Sequence, residues 1–175
     1  MIPFPDPLHP AVVHFPIAFL LAGAFVSVAA VFLRRWHLPL FAALLLSLGA
    51  VGAVVAAATG ENEEEKVEHA IPSAERLLEE HARSGDMARN LGLAAAVLAI
   101  FAAVFASKPF FGRAFSVLTA LVAFGAAYCV AEAGHFGGDL VYRHGAGVVI
   151  QGEPSVAGEQ QDSNRLGARY EDDEE

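Results

Sequence analysis

The chain has 175 residues, 55% of them hydrophobic and only 18% charged, with a net charge of −9 and a single cysteine. A soluble domain usually carries about a quarter charged residues, so this composition excludes a disordered chain and argues against an ordinary soluble one. The negative balance argues against nucleic-acid binding. The lone Cys129 excludes an intramolecular disulfide framework, a cysteine zinc site and an iron–sulfur cluster within this chain.

In chain order, four stretches meet the requirement of about 20 mostly apolar residues for a spanning helix. They cover about 11–33, 38–60, 87–107 and 114–135. The fold class predicted is all-α: a polytopic membrane protein, a four-transmembrane-helix bundle occupying residues 1–150. The segment from Met1 to Pro10 carries four prolines and no lysine or arginine, and the first apolar stretch is too long for a signal peptide core. Lysine and arginine in short loops set orientation. Arg34 and Arg35 join the first two spans, and Lys108 and Arg113 the last two, so both turns are expected in the cytoplasm. The segment Glu61–Asp86 holds nine acidic and three basic residues and is expected outside, with both termini. It is not all coil: Ser73 precedes Ala74–Arg83, where Leu77, Leu78 and His81 recur at helical spacing, and Gly85 either ends that helix or is passed through. Residues 151–175, with eight acidic and two basic residues, read as a disordered acidic tail. In the second span Gly49, Ala53, Ala57 and Gly52, Ala56, Gly60 form two small-residue rows of the kind that lets helices approach in a membrane.

Seven histidines are more than lipid-facing helices require, and six of them (His9, His14, His69, His81, His135 and His144) fall on the predicted outer side. Only His37, beside Trp36, is on the inner side. An ionisable group in a span is costly and marks function by default, and histidine is the commonest side-chain ligand of metals and haem. Counting about 1.5 Å per residue, His14 lies roughly 30 Å above Arg34 and His135 roughly 33 Å above Arg113. On the same count His81 lies roughly 40 Å above Lys108. His144 follows Gly137 and Gly138, where the chain is free to turn back over the bundle mouth. Glu132 shares a helix face with His135 at i, i+3, and fits a partner that orients a histidine.

No Gly-x-Ser-x-Gly, phosphate loop, His-Glu-x-x-His or Cys-x-x-Cys-His occurs, so the sequence names no catalytic residue and excludes covalent haem by the usual route. Whether the protein is an enzyme is left open. The expected cofactor is haem b, one or two copies. The axial-ligand candidates are His14 with His135, and His81 and His144 as alternatives; Glu132 and His9 stand behind them. Expected partners are membrane lipid and a periplasmic redox protein or quinol, with oligomerisation left open. Two other functions compete: histidine-based binding or transport of a transition metal, and a non-catalytic structural subunit of a membrane complex.

The segment Pro7-Leu8-His9-Pro10-Ala11-Val12-Val13-His14-Phe15-Pro16-Ile17-Ala18 resembles the opening of a bacterial membrane family known as domain of unknown function 2231. Gly134-His135-Phe136-Gly137-Gly138-Asp139-Leu140-Val141-Tyr142-Arg143-His144-Gly145-Ala146-Gly147-Val148 resembles its closing signature, and Ala57-Ala58-Thr59-Gly60 followed by His81 also fits. The resemblance covers about residues 7 to 150. It implies a four-helix domain of a bacterial inner membrane, similar to modules fused to Rieske or c-type cytochrome domains, and hence electron transfer by analogy.

Overall fold

The computed structural model describes residues 8–33 and 37–147. The pair Arg34–Arg35, on which half of the expected orientation rests, and the acidic tail lie outside the described residues. Four long helices follow one another: α1 (His9–Phe32), α2 (His37–Ala70), α3 (Glu75–Val104) and α4 (Pro109–His144). All four are long and apolar enough to cross a membrane. Among the described residues there is no strand. Each helix packs on the next and α1 closes the ring against α4.

Proline punctuates α1. Pro10 occupies its first turn, where the missing N–H is harmless. Pro16 cannot donate to the carbonyl of Val12 and crowds it, and there the first turn, His9–Val12, is set off from His14–Phe32 at Val13. At 34 residues α2 is about 51 Å long, well beyond the ~30 Å hydrocarbon core. Its last ten residues, 61–70, therefore form a charged extension rather than a loop. Only Ile71 and a 3-10 turn, Pro72–Ala74, separate it from α3. Gly85 does not break α3; the space beside it is open and the helix runs through.

The core is made of small residues with two leucines set among them. Leu20 and Leu46 are fully buried. A Cβ on Gly49 would stand 2.9 Å from Leu20, and one on Gly23 2.7 Å from Leu46. Each leucine thus fills a glycine notch on the facing helix, and Leu20 also reaches Gly92 of α3. With no water to expel from between helices in lipid, such close fit is the main source of association. Leu20→Ala would leave a hole that nothing can fill, and such changes in packed cores cost about 2–5 kcal/mol. The outward faces carry exposed apolar side chains, among them Phe25, Val51, Val104 and Leu121, as lipid contact requires.

At one end the α3–α4 turn is tight. Gly112 abuts the carbonyl of Phe105, and the Phe105 and Phe101 rings stack on Phe115. Lys108 and Arg113 are exposed there. At the opposite end Ala74, Leu78 and Leu140 form a second, smaller apolar cluster that ties the extensions of α2 and α3 to the last turns of α4. Gly137 and Gly138 lie inside α4 and do not turn the chain. The turn comes later, at Gly145, whose φ of 68° ends the helix while Ala146 N–H donates back to Leu140 O.

Candidate functional site

The acidic end is also where the histidines meet. His9 comes from the first turn of α1, which is fastened to α2 by one carboxylate. Glu63 Oε1 accepts from the N–H groups of Leu8 (2.9 Å) and His9 (3.2 Å). These are orphan donors at a helix start, where negative charge is favoured. No side chain of α1 caps it, so Glu63 does so from the neighbouring helix.

The His9 ring leans on the end of α2. Its Nδ1 lies 2.9 Å from Ala56 O and 3.3 Å from Thr59 Oγ1, and the Thr59 hydroxyl itself donates to Ala56 O. A carbonyl only accepts, so Nδ1 carries the proton and the lone pair stays on Nε2. Gly60 makes room for the ring: a Cβ there would stand 3.1 Å from His9 Cε1.

His81 repeats this arrangement on the other side. Its Nδ1 donates to Ala133 O of α4 at 2.9 Å, so its Nε2 is likewise the bare nitrogen. Gly137 makes the room here, where a Cβ would stand 3.0 Å from His81 Cε1. The two rings lie with centroids 5.9 Å apart and planes crossing at 86°. All four helices contribute: α1 and α3 the imidazoles, α2 and α4 the carbonyls and glycines that hold them. Both imidazoles are half-buried.

The other histidines are placed differently. His14 and His135 are exposed on the outward faces of α1 and α4. Among the described residues no hydrogen bond or ring contact joins them; the His135 ring lies against Phe136. His144 is half-buried in the last turn of α4. Glu132 accepts from the Tyr128 hydroxyl at 2.8 Å rather than from a histidine. His81 stands level with Ala133 and Gly137, not a turn or two above the other candidates. Counted from the shared α3–α4 turn instead of from Arg113, both lie roughly 36–42 Å along their helices.

Sequence reasoning placed His9 behind the ligands and did not single out Thr59 or Glu63. It treated Gly60 as a packing residue and Gly137 as a hinge, whereas both are seats for rings. A signal for His9 and His81 existed: each continues a row of buried residues at spacing seven, Pro16–Gly23–Ala30 on α1 and Ala88–Ala95–Ala102 on α3.

The chain matches no curated protein and no solved structure. One family model matches residues 5–150, which takes in all four helices and both sides of the histidine pair. Over that span the chain belongs to the family described as predicted membrane protein (DUF2231).

Proposed function

We propose that this bundle is a membrane b-type cytochrome, an electron-transfer protein that takes haem between His9 and His81. The observation that supports it is the matched pair of imidazoles, each with Nδ1 donated to a helix carbonyl and Nε2 left for a ligand bond. Orienting a ligating histidine through its other nitrogen is the usual way proteins fix such ligands. The ring centres lie 5.9 Å apart in an edge contact, so holding one iron between them, at about 2 Å from each Nε2, would require the rings to turn their Nε2 atoms toward one another. Haem brings four donors of its own and asks the protein for two axial ligands. A bare zinc ion would ask for three or four, and among the described residues no group of three or more histidine, cysteine or acidic side chains could hold a metal ion. When bound, haem iron carries one electron between its ferric and ferrous states.

The orientation that goes with this reading puts Lys108 and Arg113 in the cytoplasm by the positive-inside tendency and the histidine pair at the outer face of a bacterial inner membrane. The acidic extensions of α2 and α3 then surround the pair and suit a basic periplasmic redox protein, which charge would steer.

The test is an optical spectrum of the full chain, purified in detergent after expression with haem in excess. A Soret band with sharp α and β bands on reduction is expected, lost in His9→Ala and in His81→Ala and kept in His37→Ala at the other end. A colourless wild-type protein, or full haem content in both variants, overturns the reading. A colourless protein with one equivalent of tightly held transition metal would replace it with the metal-binding alternative.

A further inference from the structure

The outward face of α4 is unlike the other lipid-facing surfaces. Tyr128, Glu132 and His135 follow at i, i+4 and i+7 and so share that face. Tyr128 is 64% exposed and its hydroxyl donates to Glu132 Oε1 at 2.8 Å. Counting about 1.5 Å per residue from the α3–α4 turn at Pro109, the Tyr128 backbone lies roughly 28 Å up and that of Glu132 roughly 34 Å up, so the hydrogen-bonded pair sits at the outer edge of a ~30 Å hydrocarbon core. At that edge a hydrogen-bonded phenol and acid face the lipid interface directly above an apolar surface.

One turn below Tyr128 begins an apolar groove of about 210 Å³ between α1 and α4. Val28 and Val31 line it on one side, and Val117, Leu121 and Phe124 on the other. We infer that this face binds a membrane hydroquinone, its ring at Tyr128–Glu132 and its apolar tail in the groove.

The chemistry selects this occupant over a phospholipid. The carboxylate repels an anionic phosphate. A small neutral ring at the edge of the core that offers hydroxyl donors to Glu132, with an apolar tail for the groove below, fits the polarity of the pair and the apolar lining together. The position also fits transfer of electrons: Glu132 directly precedes Ala133, whose carbonyl holds His81.

Binding stands on the groove and the polar pair alone; the redox step rests on the haem reading above. A hydroquinone becomes a quinone by losing two electrons and two protons. With a one-electron acceptor held by His9 and His81, which haem would supply there, and an external one-electron redox protein to draw off each electron in turn, Glu132 would accept a ring-hydroxyl proton at each of the two oxidation steps and release it to the outer side past exposed His135.

The experiment uses the full chain in detergent with two probes. Decyl-benzoquinone binding is measured by calorimetry, and decyl-benzoquinol reduction of the bound haem by stopped-flow absorbance. Saturable binding is expected, weakened at least about tenfold by Leu121→Trp, which fills the groove, and unchanged by Leu118→Trp, an exposed residue that does not line it. Glu132→Gln is expected to slow reduction about a hundredfold with an unaltered haem spectrum, and Tyr128→Phe to weaken binding. A coloured protein whose quinone uptake is the same in wild type, Leu121→Trp and Tyr128→Phe overturns the site and leaves the cytochrome standing. A colourless protein that still binds quinone in a Leu121→Trp-sensitive way keeps the site and overturns the cytochrome. Cross-linking of two copies through Tyr128 positions, with no saturable binding, overturns it in favour of a dimer contact.

Discussion

His9 and His81 differ from His14 and His135 in direction rather than in height. All four lie toward the acidic end of the bundle, on helices of similar composition. Yet the first pair turns inward and finds carbonyls, glycines and each other, while the second pair is exposed. Five residues separate His9 from His14, about 140° of turn on a helix of 3.6 residues per turn, so the two cannot share a face. His135 extends the exposed row Leu121–Tyr128, whereas Gly137 stands on the other side of α4 against His81. Height tells which residues are able to meet; the face tells which do.

The widest separation between the pairs is expected in haem content. His9→Ala or His81→Ala should leave a protein with little or no six-coordinate haem. His14→Ala and His135→Ala should each retain nearly the wild-type amount, measured as pyridine haemochrome per mole of protein. Reversal of this pattern, with His14→Ala colourless and His9→Ala fully loaded, would show that the outward pair is the working one.

How much of this was legible beforehand follows the same division. Four helices, their order and the clustering of histidines at the acidic end could be read from apolar runs and charge, because lipid demands long uncharged helices and leaves few alternatives. The small-residue rows of α2 were legible in part: Gly49 does receive Leu20, whereas Gly60 seats the His9 ring instead of a packing side chain. Facing direction was not, since α1 is apolar almost all round and offers no polar side to orient it. His14 drew attention because it sits one turn inside an apolar stretch. His9 stands only behind the ligand candidates in that reading, though the row His9–Pro16–Gly23–Ala30 points it inward. The extension of α2 to Ala70 was hidden by its charge. Acidic residues read as loop, yet they form a helix whose Glu63 fastens the start of α1.

The glycine seats sharpen the comparison at a finer scale. A methyl group on Gly137 or Gly60 would press on an imidazole at 3.0–3.1 Å, so the ring has to shift. Gly134 and Gly138 sit on the same helix with nothing within 4 Å, and serve as controls of equal helix propensity. Gly137→Ala and Gly60→Ala should therefore broaden or shift the haem bands and speed haem loss to an acceptor apoprotein. The expected cost is about 1–3 kcal/mol of overpacking. Gly134→Ala and Gly138→Ala should leave the bands alone and even raise thermal stability slightly, since alanine is the better helix former by about 1 kcal/mol. Equal effects at all four glycines would mean that the rings are not seated as described.

The smallest effect concerns how His9 is held. Glu63 is the sole side-chain cap that α1 receives among the described residues, and it takes two backbone donors at once. Glu63→Gln keeps an acceptor oxygen of similar reach but removes the charge that favours a helix start, worth about 0.3–1 kcal/mol. Glu63→Ala removes the acceptor as well, at a cost of about 0.5–2 kcal/mol by analogy with lost helix caps. Because the freed segment is the single turn that carries His9, set off from the rest of α1 at Val13, the loss should appear there first. Haem should dissociate faster in Glu63→Ala than in Glu63→Gln, and faster in Glu63→Gln than in wild type, while the melting of the four-helix core changes by no more than a few degrees. Hydrogen exchange should increase at the Leu8 and His9 amides and not at Leu20. If haem retention stays at the wild-type level although those amides exchange freely, His9 is held by its Ala56 and Thr59 contacts alone, and the carboxylate serves only the helix end.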